Sequence, residues 1–213
     1  MGCSLCHNEI TETWAAGTLE YRYCGRCGLV QALPRFFPDP LKEKERYLKH
    51  NNTFENSGYV KYLTDFIASA VTPYVGKGSS ILDYGCGPAP VLTALLKKKD
   101  YRVTPYDPYF HADRRWKTKH FDSVVSVEVF EHLQDPLTAL KEILSVLDTD
   151  GIVIIRTLLH NENQDVFSNW WYRQDCTHIT FYSEKSFLFL AENFPLKILA
   201  IKNGREIILA KTS

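Results

Sequence analysis

The chain has 213 residues and 45% hydrophobic content, enough for one full domain and a small appendage around a packed core. Its 25 basic and 25 acidic residues cancel, so no global field draws it to nucleic acid or an anionic surface, and non-specific nucleic-acid binding is not expected. No apolar run approaches the ~20 residues of a membrane span, and the stretch MGCSLCHNEI lacks an apolar signal core, so a cytoplasmic location without membrane association is predicted.

Four of the six cysteines form two knuckles, Cys3-x-x-Cys6 and Cys24-x-x-Cys27, joined by residues 7–23. This spacing is that of a tetrahedral four-cysteine zinc site, in which each knuckle turns two thiolates toward one ion. Residues 13–23, TWAAGTLEYRY, read as a strand or short hairpin between the knuckles. Such a ribbon, assigned to residues 1–33, has too little core to fold without its metal. Four protein ligands leave no open position for chemistry, so the role expected of it is structural, or the docking of a protein partner. Paired disulfides are the alternative, and they would require an oxidising compartment.

Residues 34–75 are read as a linker and two helices. The prolines of PRFFPDP mark the linker. LKEKERYLKH and GYVKYLTDFIASAVTPYV follow, the second with apolar residues at 59, 60, 63, 66, 67, 70 and 71, a helical stripe. Tyr47, His50 and Asn51 lie where such helices can shape a pocket.

The third unit, residues 76–213, opens on ILDYGCGPAP (81–90). An apolar strand runs through Asp83 into Gly85-Cys86-Gly87 and then into a helix beginning near Val91. A dinucleotide fingerprint would carry a third glycine where Pro90 stands, and Asp83 would repel a pyrophosphate. An ammonium and a ribose hydroxyl can both use such an acid. The stretch resembles motif I, acid-x-Gly-x-Gly, of class I S-adenosylmethionine-dependent methyltransferases. That resemblance implies S-adenosyl-L-methionine as cofactor, its methionine end cradled by Asp83, Gly85, Cys86 and Gly87. The second strand, Tyr101 to Tyr106, ends at Asp107, and an acid about 20 residues beyond the glycine turn is where ribose hydroxyls are gripped. By resemblance Asp107 holds the ribose, with Pro108 beside it and Tyr109 or Phe110 flanking the adenine. Most of the family place a helix and a third strand next, but here Phe121 follows almost at once, so the sheet is expected to be one strand short at that edge.

Phe121 to Val127 is a buried strand by its β-branched residues, and Glu128-Val129-Phe130-Glu131-His132 follows it. This resembles the E-x-x-E-H turn of the family's small-molecule branches, with Glu128 on the pocket floor. Asp135 and Pro136 cap and open a helix, Asp148 to Gly151 end it, and Ile152 to Ile155 form the next strand. LKILAIKNGREIILAK holds two strands around Asn203-Gly204, a strong hairpin signal. The alternation predicts an α/β, Rossmann-like, doubly wound and mostly parallel sheet with a C-terminal antiparallel hairpin, its ligand at the carboxyl ends of the strands.

The stretch 161–187, rich in aromatics, is read as a substrate loop followed by a helix capped at Ser183. Methyl transfer from a sulfonium is an in-line displacement that gains much from alignment, and a base is needed only where the nucleophile loses a proton. His178 is the first candidate base and His132 the second. Trp170, Trp171 and Tyr172 can stack a planar substrate or form an apolar lid. Resemblance to methyltransferases acting on RNA 3′ ends and in ubiquinone synthesis also implies a second divalent ion held by Glu128, Glu131, His132 and His178, which would acidify a substrate hydroxyl. The function expected is methyl transfer to a small-molecule or macromolecular acceptor. The competing readings are a non-catalytic adaptor that docks a partner through the ribbon, and a nicotinamide oxidoreductase.

Overall fold

The computed structural model describes residues 2–10 and 12–212. The front of the chain forms a hairpin, β1 (Glu12–Ala16) and β2 (Leu19–Tyr23), then β3 (Val30–Ala32). The knuckles flank the hairpin as their spacing predicts. Two helices follow, α1 (Pro40–Leu48), capped by Asp39, and α2 (Ser57–Phe66), capped by Asn56. A π-turn, Ile67–Val71, continues α2, and the stripe read from the sequence buries Leu63, Phe66, Ile67, Ala70 and Val71.

Next come β4 (Ser80–Tyr84), α3 (Val91–Lys97), β5 (Arg102–Tyr106), β6 (Phe121–Val127), α4 (Pro136–Val146) and β7 (Leu147–Arg156). The chain closes with α5 (Gln164–Ser168), β8 (Thr180–Phe181), α6 (Glu184–Asn193), β9 (Leu196–Lys202) and β10 (Glu206–Lys211). The main sheet has the order β5-β4-β6-β7-β10-β9, parallel through β7 and antiparallel at β10. A short 3-10 turn, Arg114–Thr118, takes the place of the helix and third strand that most of the resembled family carry, and β5 is the edge, so the sheet is short there as the sequence predicts. The strand β7 begins earlier than expected. Leu147 already pairs with Phe121, residues 148–151 bulge out with Asp150 at φ 61, and pairing resumes between Ser123 and Ile152.

Both faces of the sheet are covered, so successive residues of a strand are buried on opposite sides. Leu82, Val124, Val153 and Ile207 face α4, α6 and the cysteine knuckles, while Ile81, Val125, Ile154 and Ile208 face α2 and α3. Each such side chain is fully buried and contributes roughly 1.5–3 kcal/mol. The front strands pack a separate core, in which Trp14, Tyr21 and Val30 meet Phe167, Tyr172 and Phe181. At the C-terminus Asn203 and Gly204 have φ of 54 and 59, the left-handed pair that a tight β9–β10 turn demands. Among the described residues no helix is long and apolar enough to cross a membrane.

Candidate active site

A cavity of about 600 Å³ opens at the carboxyl ends of β4, β5 and β6 and is roofed by α1. Its first half is backbone. Gly85 and Cys86 both donate to the Tyr106 carbonyl, at 2.7 and 3.0 Å, which bends the chain out of β4. Gly85 has φ +88, and a Cβ there would lie 2.3 Å from Val129 Cγ2. Gly87 has φ +68 with nothing within 4 Å of an added Cβ, so a ligand can approach its backbone closely. The Gly87 N–H donates to Asp107 Oδ2 at 3.0 Å, and Asp107 Oδ1 accepts from Tyr109 and Phe110 N–H at 2.9 and 3.2 Å. Glycine turn and second-strand acid are thereby clasped together, with Cys86, Pro108, Tyr109 and Phe110 also on the wall.

Asp83, expected in the cradle, does not reach the cavity. It is 2% exposed and accepts from Thr93 Oγ1 at 2.6 Å, tying β4 to α3. Burial pushes its carboxyl up to about 7.

The second half is built from the turn after β6 and from residues 171–178. Glu128 adopts φ 53, uncommon for a residue with a side chain, and its N–H donates to the Arg156 carbonyl at 2.8 Å. Its carboxylate accepts from Tyr62 at 2.7 Å and from Tyr172 at 2.9 Å. The Tyr172 hydroxyl also lies 2.7 Å from Glu131 Oε1. One phenolic proton cannot serve both acids. Burial first, then the charge of Glu128, hold Glu131 well above the usual carboxylate range.

His132 Nδ1 faces the Thr177 carbonyl at 2.9 Å, and His178 Nδ1 faces the Tyr172 carbonyl at 2.7 Å. A carbonyl accepts only, so each Nδ1 carries the proton and each Nε2 presents a bare lone pair. The two rings are 4.8 Å apart. Burial, then neighbouring His178, push His132 down to about 3, and burial lowers His178 as well. Ligand atoms of Glu131, His132 and His178 lie within 4.8 Å of one another. Glu128 was expected in that group and stands outside it, held instead by its two tyrosines.

The roof is anchored by groups the sequence reading did not single out. Glu43 accepts from Tyr47 at 2.6 Å and from Tyr109 at 2.7 Å, and Arg46 pairs with Asp175 at 2.6 Å. His50 lies 3.5 Å from the same carboxylate, and the Tyr47 ring stands edge-on to His132. Tyr47 and His50 thus line the cavity as expected, with Asn52 in place of Asn51. The signal available was Glu43 with Tyr47 four residues on, one face of α1. Trp171, 66% exposed, and buried Tyr172 line the cavity, whereas Trp170 packs on Phe167 and Phe181.

On the face of the sheet covered by α4 and α6, the sulfurs of Cys3, Cys6, Cys24 and Cys27 gather within 4.8 Å of one another, with no disulfide. Cys3 and Cys27 are 3.5 Å apart and Cys6 and Cys24 3.4 Å. A tetrahedral ion with Zn–S bonds of about 2.3 Å separates its sulfurs by about 3.8 Å. The cluster fits that demand with small adjustment.

The family model for a methyltransferase domain matches residues 29–201, beginning just past the second knuckle. The fold is similar to that of 1,6-didemethyltoxoflavin-N1-methyltransferase from Burkholderia thailandensis, solved with 1,6-didemethyltoxoflavin and S-adenosylhomocysteine. The TM-score is 0.56 at 14% identity, over 95% of this chain and 100% of that one. A TehB-like SAM-dependent methyltransferase from Corynebacterium glutamicum aligns with TM-score 0.49 at 18% identity, over 81% of this chain and 99% of that one. Coclaurine N-methyltransferase, bound to N-methylheliamine and SAH, aligns with TM-score 0.48 at 19% identity over 71% of this chain and only 53% of that one. A comparison with curated proteins yields no match. With most of its length matched by the family model, the chain belongs to the methyltransferase domain family.

Proposed function

We propose that the chain is an enzyme that transfers a methyl group from S-adenosyl-L-methionine to an acceptor held between its cofactor clasp and the His132–His178 pair. The observation that carries this reading is that one cavity joins the Gly87–Asp107 clasp to two half-buried imidazoles with bare Nε2 atoms. Its wall carries Glu43, Asp107, Glu128 and Asp175 and, among the described residues, no lysine or arginine, which suits a sulfonium and an ammonium. Gly85, Cys86 and Gly87 receive the methionine end, Asp107 the ribose, and Pro108, Tyr109 and Phe110 the adenine. Asp83 supports the turn through Thr93 and α3. Alignment supplies much of the rate, and His178, with His132 behind it, accepts a proton where the acceptor must lose one. Titrating the purified protein with S-adenosyl-L-methionine in a calorimeter tests this. Saturable binding is expected, and its absence at millimolar cofactor favours the adaptor reading, while binding of a nicotinamide dinucleotide favours the oxidoreductase.

The four thiolates suit a structural zinc ion, by number, softness and spacing. A second reading, a divalent ion at Glu131, His132 and His178, is favoured by Glu131 Oε2, a buried oxygen with no hydrogen-bond partner, on a residue with a carboxylate oxygen within 4.8 Å of a ring nitrogen of each histidine. Two imidazoles and one carboxylate are a sound donor set for zinc, iron or nickel. When bound, such an ion would acidify an acceptor hydroxyl. Metal analysis of the purified chain decides the count: one zinc for the thiolates alone, two ions if the second site fills.

A further inference from the structure

The acceptor half of the cavity is not carried by the six-stranded sheet. Strand β8, which follows His178, is the last strand of the front sheet, with Val30 paired to Phe181 and Gln31 to Thr180. The Ala32 N–H donates to the Ile179 carbonyl and the Ile179 N–H to the Glu131 carbonyl, each at 2.8 Å. His178 is therefore held between a strand that follows the second cysteine knuckle and the turn that carries Glu131 and His132. The Gln31 side chain adds to this. Its Nε2 donates to the Gln134 carbonyl and to Thr180 Oγ1, both at 3.0 Å, and Thr180 donates onward to the Leu133 carbonyl at 2.6 Å.

The knuckle end is tied to residues 160–162 and to α6, and the His160 N–H in turn donates to the Tyr182 carbonyl at 2.9 Å. Cys24 N–H donates to the Leu29 carbonyl and Gly28 N–H to the Cys24 carbonyl, which shapes the turn around Cys27. The Gly28 carbonyl accepts from His160 at 2.9 Å, the Gly25 carbonyl from Lys185 at 2.6 Å, and Tyr23 donates to Glu162 at 2.6 Å. By contrast, the cofactor clasp lies at the ends of β4 and β5, its backbone hydrogen bonds run to Tyr106, Asp107 and His111, and its Tyr109 hydroxyl reaches Glu43 of α1; none of these partners belongs to the cysteine module.

We infer that the four-cysteine module is a positioning unit for the acceptor half of the site: with its ion bound it sets His178 through β3 and β8 and leaves the cofactor clasp independent. This rests on reading the cysteines as a zinc centre and the cavity as a methyl-transfer site. It assigns the module an internal role, in which Gln31 is a positioning residue.

The test is amide hydrogen exchange on the full chain and its Cys6→Ser variant, which removes the partly exposed ligand, with zinc measured in both. One zinc per chain is expected in the parent and less in the variant. Exchange in Thr177–Tyr182 should rise by at least ~10-fold in the variant, while the amides of Gly85–Gly87, Tyr109 and β6 keep their protection. The His178 imidazole resonances should broaden or split. Unchanged exchange at Thr177–Tyr182 would overturn the inference, and so would equal loss in both halves of the cavity. If Cys6→Ser does not fold, Gln31→Ala gives the same readouts without touching a cysteine, and unchanged Thr177–Tyr182 exchange there refutes the link. A parent chain with no zinc refutes the role of the ion. Failure to bind S-adenosyl-L-methionine would instead tell against the methyl-transfer reading, since the exchange measurements need no ligand.

Discussion

Replacing Gly85 by alanine should unlock the cofactor turn, and its cost can be worked from two separate terms. The backbone at Gly85 has φ +88, where a residue with a Cβ loses roughly 1–2 kcal/mol. The new methyl would also lie 2.3 Å from Val129 Cγ2 and 3.0 Å from Cγ1, so Val129 or the turn must shift, an overpacking cost of roughly 1–3 kcal/mol. The sum is about 2–5 kcal/mol, which for a domain of this size lowers the melting temperature by roughly 4–20 °C. Val129→Ala in the same chain removes the steric term and leaves the backbone term, so the double variant should recover about half of the loss beyond what Val129→Ala costs alone. Thermal and urea unfolding of the four proteins measure this cycle. Because the turn holds the Gly87 N–H that meets Asp107, the single variant should also bind S-adenosyl-L-methionine more weakly. A Gly85→Ala protein within about 0.5 kcal/mol of the parent would refute the argument from close approach.

Asp107→Ala should weaken cofactor binding by at least ~1 kcal/mol, since it removes the ribose partner and frees three backbone N–H groups; unchanged affinity by calorimetry would strike Asp107 from the site. His178→Gln should lower transfer of labelled methyl into a metabolite extract by about 10²–10⁴-fold while cofactor affinity stays the same, provided the acceptor gives up a proton; full activity would assign His178 to loop ordering. His160 is buried, and burial pushes its pKa down to about 4. The neutral ring is favoured by folding, so its contribution is complete above about pH 6.5 and is lost as pH falls toward 4, by at most about 3 kcal/mol. Urea midpoints at pH 7 and pH 5 should therefore differ more for the parent than for His160→Gln, and equal pH slopes would contradict this account.

Much of the architecture was legible because it is local. The short apolar, β-branched runs at Ile81, Val124 and Ile152, the caps at Asp135 and Ser183, the Asn203-Gly204 turn and the two cysteine knuckles each act within a few residues. Asp107 was found because it is a fixed number of residues beyond the glycine turn on adjacent strands. Asp83 shows the limit of the same reasoning: its place at a strand end was right, and only packing shows its carboxylate engaged by Thr93. Glu43, Arg46, Asp175 and Tyr62 were not singled out, because each acts through a partner far away in sequence.

The sequence by itself determined the fold class, the glycine turn, the second-strand acid, the thiolate spacing and the short edge after β5. The tertiary structure alone decided which side chains meet: that Glu131, His132 and His178 converge while Glu128 turns to Tyr62 and Tyr172, and that β8 joins the front sheet. The physical reason is one of range. Backbone conformation and burial period are set by near neighbours, whereas the protonation and direction of a buried polar group depend on whichever distant residues the fold brings against it.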